Sequence, residues 1–189
     1  MNYQHSPGRT NQKLQYARVQ LETLHFLSSL KKRSSQKQAA QIPDFIESGL
    51  VLATCESVAQ HLRGAWQALM VEIAVNYGIE EASFDHPQSL IDALIANGLS
   101  SIEADQMLAL QNTTGGWVSD MLALAESTDR LTQLAPVWSP SYEDEGGELL
   151  DRVDCEVQAN VEQQLAMLRG CLDAMEGLVE NMRISAMEW

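Results

Sequence analysis

Arg18 and His25 are the residues of this chain whose types and spacing most invite a chemical reading. Seven positions apart in a helical pattern, they stand roughly 20° from each other around the axis, at the edge of the first apolar stripe. An arginine can hold an anion and a histidine can move a proton. A plainer use competes: Arg18 pairs with Glu22 at i+4 and His25 packs at the core boundary. Glu22-Thr23-Leu24-His25 is also half of a carboxylate–imidazole metal site. A di-iron bundle needs that tetrapeptide on two helices, plus a Glu on each of two others. His61 and His86 follow Val58 and Ser83 at the corresponding position, so the second half is missing and no metal or cofactor is expected. Arg63 is the only Lys or Arg between Lys37 and Arg130, against thirteen acids. It is either tied to a carboxylate such as Glu56 or kept for a small anionic ligand. The chain contains no Gly-x-Ser-x-Gly elbow, no phosphate-binding loop with its Lys, and no Cys-x-x-Cys pair.

The elements that must position these residues read as helices from end to end. Thr10 can cap a first helix running to about Leu30, with Leu14, Ala17, Leu21 and Leu24 on one stripe. Pro43 opens a long helix to about Tyr77, stopped by Gly78, whose stripe is Cys55, Val58, Leu62, Trp66, Leu69 and Ile73. Its other faces are also apolar, which places it centrally. Asp85 with Gln88 can cap a segment ending at Gly98, Ser100-Ser101-Ile102-Glu103 fits a capping box, and Gly115-Gly116 precedes a helix from Trp117 to about Leu134. Residues 135–147 form an acidic loop with Trp138 and Tyr142, aromatics that the core pattern does not claim; the composition suits docking on a basic partner surface and equally a flexible linker. The last helix, about 148–185, carries Val157, Val161, Gln164, Leu168, Cys171, Met175, Leu178 and Met182 in 4-3 alternation. Leu165, Leu172 and Val179 widen that face, and Ala166, Gly170, Ala174 and Gly177 permit close helix approach. No strand alternation and no internal repeat interrupts the pattern. The expectation is a single all-α domain over 1–189, an up-and-down bundle of five to six helices with a flexible start at 1–9.

Charge is divided by position. Residues 1–40 hold seven basic residues and one acid, net +6; residues 41–189 hold five basic residues and twenty-five acids, net −20. The overall −14 weighs against nonspecific binding to nucleic acid or to an anionic membrane. Lys31, Lys32, Arg33 and Lys37 lack the interleaved aromatics of a nucleic-acid arm and read as a contact for an acidic surface. With the heptad seam and the extra apolar Phe26 and Leu27, the split predicts a homodimer. Cys55, Cys155 and Cys171 are odd in number and set among apolar neighbours, so they read as reduced, buried thiols in a cytoplasmic protein. No stretch is long and apolar enough to span a membrane, and the first residues lack a secretory apolar core.

Two resemblances extend this reading. An Arg followed seven residues later by His resembles the motif of the HEPN superfamily, helical-bundle proteins that include dimeric ribonucleases. That resemblance implies that Arg18 and His25 from two subunits hold a phosphate and activate a ribose hydroxyl. The family's pair lies late in its domain, with a polar residue after the Arg; here the pair is on the first helix and Val19 follows. Arg9-Thr10-Asn11-Gln12-Lys13-Leu14 and the terminal Glu188-Trp189 resemble an uncharacterised family from Pseudomonas and related gammaproteobacteria, a domain of unknown function. That resemblance implies a bacterial cytoplasmic protein and brings no activity with it. The leading expectation is a non-enzymatic interaction or scaffold protein.

Overall fold

A computed structural model describes the backbone of residues 8–34, 44–80, 83–133 and 147–187, and the side chains of residues 8–26, 50–80, 83–126 and 163–185. The described residues form six helices and no strand: α1 (Gly8–Ser34), α2 (Asp44–Asn76), α3 (Pro87–Ala96), α4 (Ile102–Asn112), α5 (Trp117–Gln133) and α6 (Gly147–Met187). The fold is all-α, as the 3-4 apolar spacing requires.

Four of these helices make an up-down-up-down bundle. Lys13 lies against Gly64, Tyr16 against His61, and Gln20 on Ser57, so α1 and α2 run antiparallel. Gln60 reaches the Ala125 carbonyl while Trp66 meets Trp117, which sets α5 antiparallel to α2. Asn11 meets Arg183 and Arg18 meets Glu176, so α6 runs antiparallel to α1. The shorter α3 and α4 pack on each other as a hairpin inserted between α2 and α5. Helix α2 touches all five other helices, which explains why its stripe Cys55–Ile73 is buried and why Ala59, Ala65, Met70 and Ala74 on its flanks are buried too.

The α1 stripe Leu14, Ala17, Leu21 and Leu24 is buried as expected, and so is the α6 seam from Leu168 to Met182 with Leu172 and Val179 beside it. That seam closes the monomer's own core and is not left for a second copy; the side chains of Val157 and Val161 lie outside the described residues.

Helix ends follow backbone chemistry. Gly78 takes φ +78°, its amide donates to the Val75 carbonyl and the Ile79 amide to Ala74. The same two-bond pattern recurs at Gly98 and Leu99, and both are Schellman terminations that satisfy the last carbonyls. At the starts, three expectations shift. Helix α1 begins at Gly8, so Thr10 lies inside its first turn with its hydroxyl turned into the protein. Helix α3 has His86 rather than Asp85 at its N-cap position, with no side-chain cap hydrogen bond, because Pro87 at the first helical position fixes the start one residue later; Gln88 spends its amide on Asp92. Helix α4 uses Ser101, not Ser100: its Oγ accepts from the Ala104 amide at 3.1 Å.

Candidate functional site

The polar groups with the most structure around them lie where the C-terminal halves of α2 and α6 meet the start of α1 and the α3–α4 hairpin. Glu72 interrupts the apolar run Leu69-Met70-Val71 and Ile73-Ala74-Val75, so the packing that buries α2 must bury a carboxylate. It is satisfied from two helices. Arg183 of α6 donates from Nε to Oε1 at 2.7 Å and from Nη2 to Oε2 at 2.9 Å, while Thr10 of α1 donates to Oε2 at 3.0 Å. Arg183 Nη1 also donates to Asn11 at 2.9 Å. Planar, bidentate pairing is the geometry a guanidinium offers a carboxylate. It ties three helices together at one point.

Beside this latch opens a cleft of about 320 Å³. Leu69, Ile73 and Met182 supply an apolar wall, and Glu72, Asn76, Tyr77, Glu103 and Arg183 supply the polar groups. Glu103 stands in the first turn of α4, where the helix dipole favours a negative charge. The Ser101 hydroxyl donates to its Oε2 at 2.7 Å and the Tyr77 hydroxyl to the same oxygen at 3.1 Å. Burial pushes the Glu103 carboxyl up, but these two hydroxyls and its backbone hydrogen bond outweigh burial and leave it below the ordinary value. Burial, opposed by Ser101 and joined by the Glu103 contact and charge, raises the Tyr77 phenol. Near neutral pH the site therefore holds an ionised carboxylate beside a neutral phenol.

The residues singled out in the sequence lie elsewhere. Arg18 is exposed and pairs with Glu176 of α6, not with Glu22 on its own helix; α6 runs alongside and offers a carboxylate that ties the bundle together. His25 is exposed rather than set at the core boundary, and it is engaged rather than free. Arg63 is half-buried on α2, also engaged, and does not line the cleft. Lys37, Trp138 and Tyr142 lie outside the described residues, and of Lys31, Lys32 and Arg33 only the backbone is described, in the last turn of α1.

Cys55 and Cys171 are buried and not disulfide-bonded. Burial, with the charge of Glu56, raises the Cys55 thiol, its own backbone hydrogen bond opposing; burial, with Asp120, pushes Cys171 up to about 11. Neither is a thiolate at neutral pH, so neither is a ready nucleophile. The Cys155 side chain is outside the described residues. Among the described residues no three His, Cys, Asp or Glu side chains converge as a metal site would require, and no helix is long and apolar enough to cross a membrane.

Sequence reasoning missed the latch and the cleft because their partners are 111 and 26 residues apart. One signal was present: a lone Glu72 in an apolar helical stretch demands a cation from another element. No protein-family model matches this chain, and no curated protein and no solved structure matches it either.

Proposed function

We propose that this chain is a non-enzymatic interaction or scaffold protein, and that its principal contact is with a second copy of itself through the outer face of α1. One observation carries the reading. Opposite the buried stripe of α1, Val19 and Phe26 are 46 % and 59 % exposed, with Tyr16, 45 % exposed, at the margin where its ring meets His61 of α2, and they share that face with the uncharged Gln12 and Thr23. The strip extends about 21 Å along the helix. Exposed apolar residues scattered singly are ordinary, but a continuous uncharged strip on a molecule of net charge −14 is the surface that association covers.

Charge supports the choice of occupant. The strip leads to Lys31, Lys32 and Arg33 in the last turn of α1, while residues 41–189 carry net −20. A second copy thus supplies both an apolar strip and an acidic surface for the basic end. The chemical groups that would compete with this reading are occupied: Arg18 by Glu176 and Arg183 by Glu72.

Light scattering on the full chain tests it. Wild type is expected to show the mass of two chains at low salt, and Val19→Glu with Phe26→Glu to show one, with unchanged helix content. A single-chain mass for wild type at low and high salt alike would remove the self-association. RNA cleavage that disappears in His25→Ala would overturn the non-enzymatic reading altogether.

A further inference from the structure

We infer that the cleft between α2, α4 and α6 is a binding site for a small organic cation, an ammonium carried on a short apolar body. The inference is independent of any association through α1.

The charge balance of the lining selects the sign of the ligand. Among the described lining residues Arg183 is the one cation, and its Nε and Nη2 are both spent on Glu72, with Nη1 on Asn11. That pair is neutral as a unit. Glu103 has no such partner: its contacts are the hydroxyls of Ser101 and Tyr77, which hold it ionised without cancelling its charge. The cleft therefore presents one net negative charge to a ligand. An anion would face Glu103 with no uncommitted cation among the described lining residues to receive it. A divalent metal would find two carboxylates of which one is already bidentate to arginine, too few for a closed oxygen shell.

Shape and surface select the rest. The volume of about 320 Å³ lies at the small end of ligand pockets, which start at about 300 Å³. Leu69, Ile73 and Met182 form a wall with no hydrogen-bonding side chain, suited to an alkyl or aryl body. At the other side, the Tyr77 ring, the Asn76 amide and Glu103 are the groups an ammonium would engage, by cation–π attraction, hydrogen bonding and charge. The whole-chain charge of −14 adds a field that concentrates cations near the surface.

Three probes of one shape separate the explanations by calorimetry on the full chain: phenethylammonium, uncharged 2-phenylethanol and anionic phenylacetate. The ammonium is expected to bind, with the alcohol and the carboxylate each at least tenfold weaker. Glu103→Gln keeps the side-chain shape and leaves the Ser101 cap, and should weaken the ammonium at least tenfold without changing helix content. Should that variant not fold, Asn76→Asp at the exposed end of α2 adds a second negative charge to the rim and should tighten the ammonium several-fold. The proposal is overturned if no probe binds at millimolar concentration, if the alcohol or phenylacetate binds as tightly as the ammonium, if Glu103→Gln binds like wild type, or if Asn76→Asp brings no gain.

Discussion

At the scale of single residues, the Glu72–Arg183 pair is asymmetric, and the asymmetry is measurable. The Glu72 side chain is 11 % exposed and that of Arg183 26 %. Arg183→Met strands a buried carboxylate whose remaining described donor is Thr10, whereas Glu72→Gln leaves a guanidinium near enough to solvent to find water. Breaking a buried pair costs about 3–5 kcal/mol where the orphaned charge stays buried, and less where it can escape. Urea unfolding should therefore show a loss of about 2–4 kcal/mol for Arg183→Met and about 1–2 kcal/mol for Glu72→Gln. Equal losses would mean that Arg183 is held as tightly as its partner.

His61 makes the second residue-scale prediction. Burial first, and the nearby charge of Lys13, push it below the ordinary 6.5, while its ring sits edge-on to Tyr16 at 5.4 Å. As pH falls, the unfolded chain takes up this proton before the folded one does. His61 leaves stability untouched above 6.5 and subtracts from it as pH drops from there to the folded value. Glu103 acts in the same direction from 4.5 downward, since its folded value is also lowered. Urea midpoints at about pH 7.5 and about pH 5.5 should differ less in His61→Gln than in wild type.

At the scale of elements, the glycines inside helices are informative. A Cβ at Gly64 would meet Lys13 Cε at 3.3 Å, the far end of a flexible side chain that can move aside. At Gly170 and Gly177 no described atom lies within 4 Å of the added carbon, so the close approach expected from these small residues is not made by any described part of the chain. Both lie on the face of α6 turned away from its buried seam. Ala at each of the three should raise stability by about 0.5–1 kcal/mol, because glycine costs a helix interior that much in backbone entropy. Thermal unfolding checks the sign. A loss of light-scattering mass in Gly170→Ala with Gly177→Ala would instead show that a second copy packs on this face.

At the scale of the whole molecule, the bundle consumes one of the three features that pointed to a dimer. The α6 seam packs on α2, α5 and α1 within one chain, so the proposed association is left with the outer face of α1 and with charge. Changing Lys31, Lys32, Arg33 and Lys37 to Gln should leave helix content intact, since exposed ion pairs contribute only about 0–1 kcal/mol each. It should also abolish the salt dependence of the mass. An unfolded quadruple variant would make these residues structural. Loss of strong RNA binding shown by wild type would turn the basic end toward nucleic acid.

What the sequence by itself determined was everything that depends on short-range periodicity. The stripes Leu14–Leu24 and Cys55–Ile73 and the seam Leu168–Met182 are buried where 3-4 spacing put them, and Gly78 and Gly98 end their helices because φ near +75° suits a residue without Cβ. What only the tertiary structure decided was which helix face meets which. Arg18 had Glu22 within reach on its own helix, yet a carboxylate of the antiparallel α6 takes it. Glu72 announced a need for a cation, but neither Arg183 nor Thr10 is marked as its partner, because pairing across helices depends on register rather than on local pattern. Asp85 lost the N-cap position of α3 to His86, which makes no side-chain cap bond, for the opposite reason: the rigid ring of Pro87 outweighs a side-chain preference. The cleft belongs wholly to the second kind. Tyr77 lies just past the end of α2, Glu103 on α4 and Arg183 on α6, and only the packing of the α3–α4 hairpin on α2 and of α6 on α2 sets them around one space.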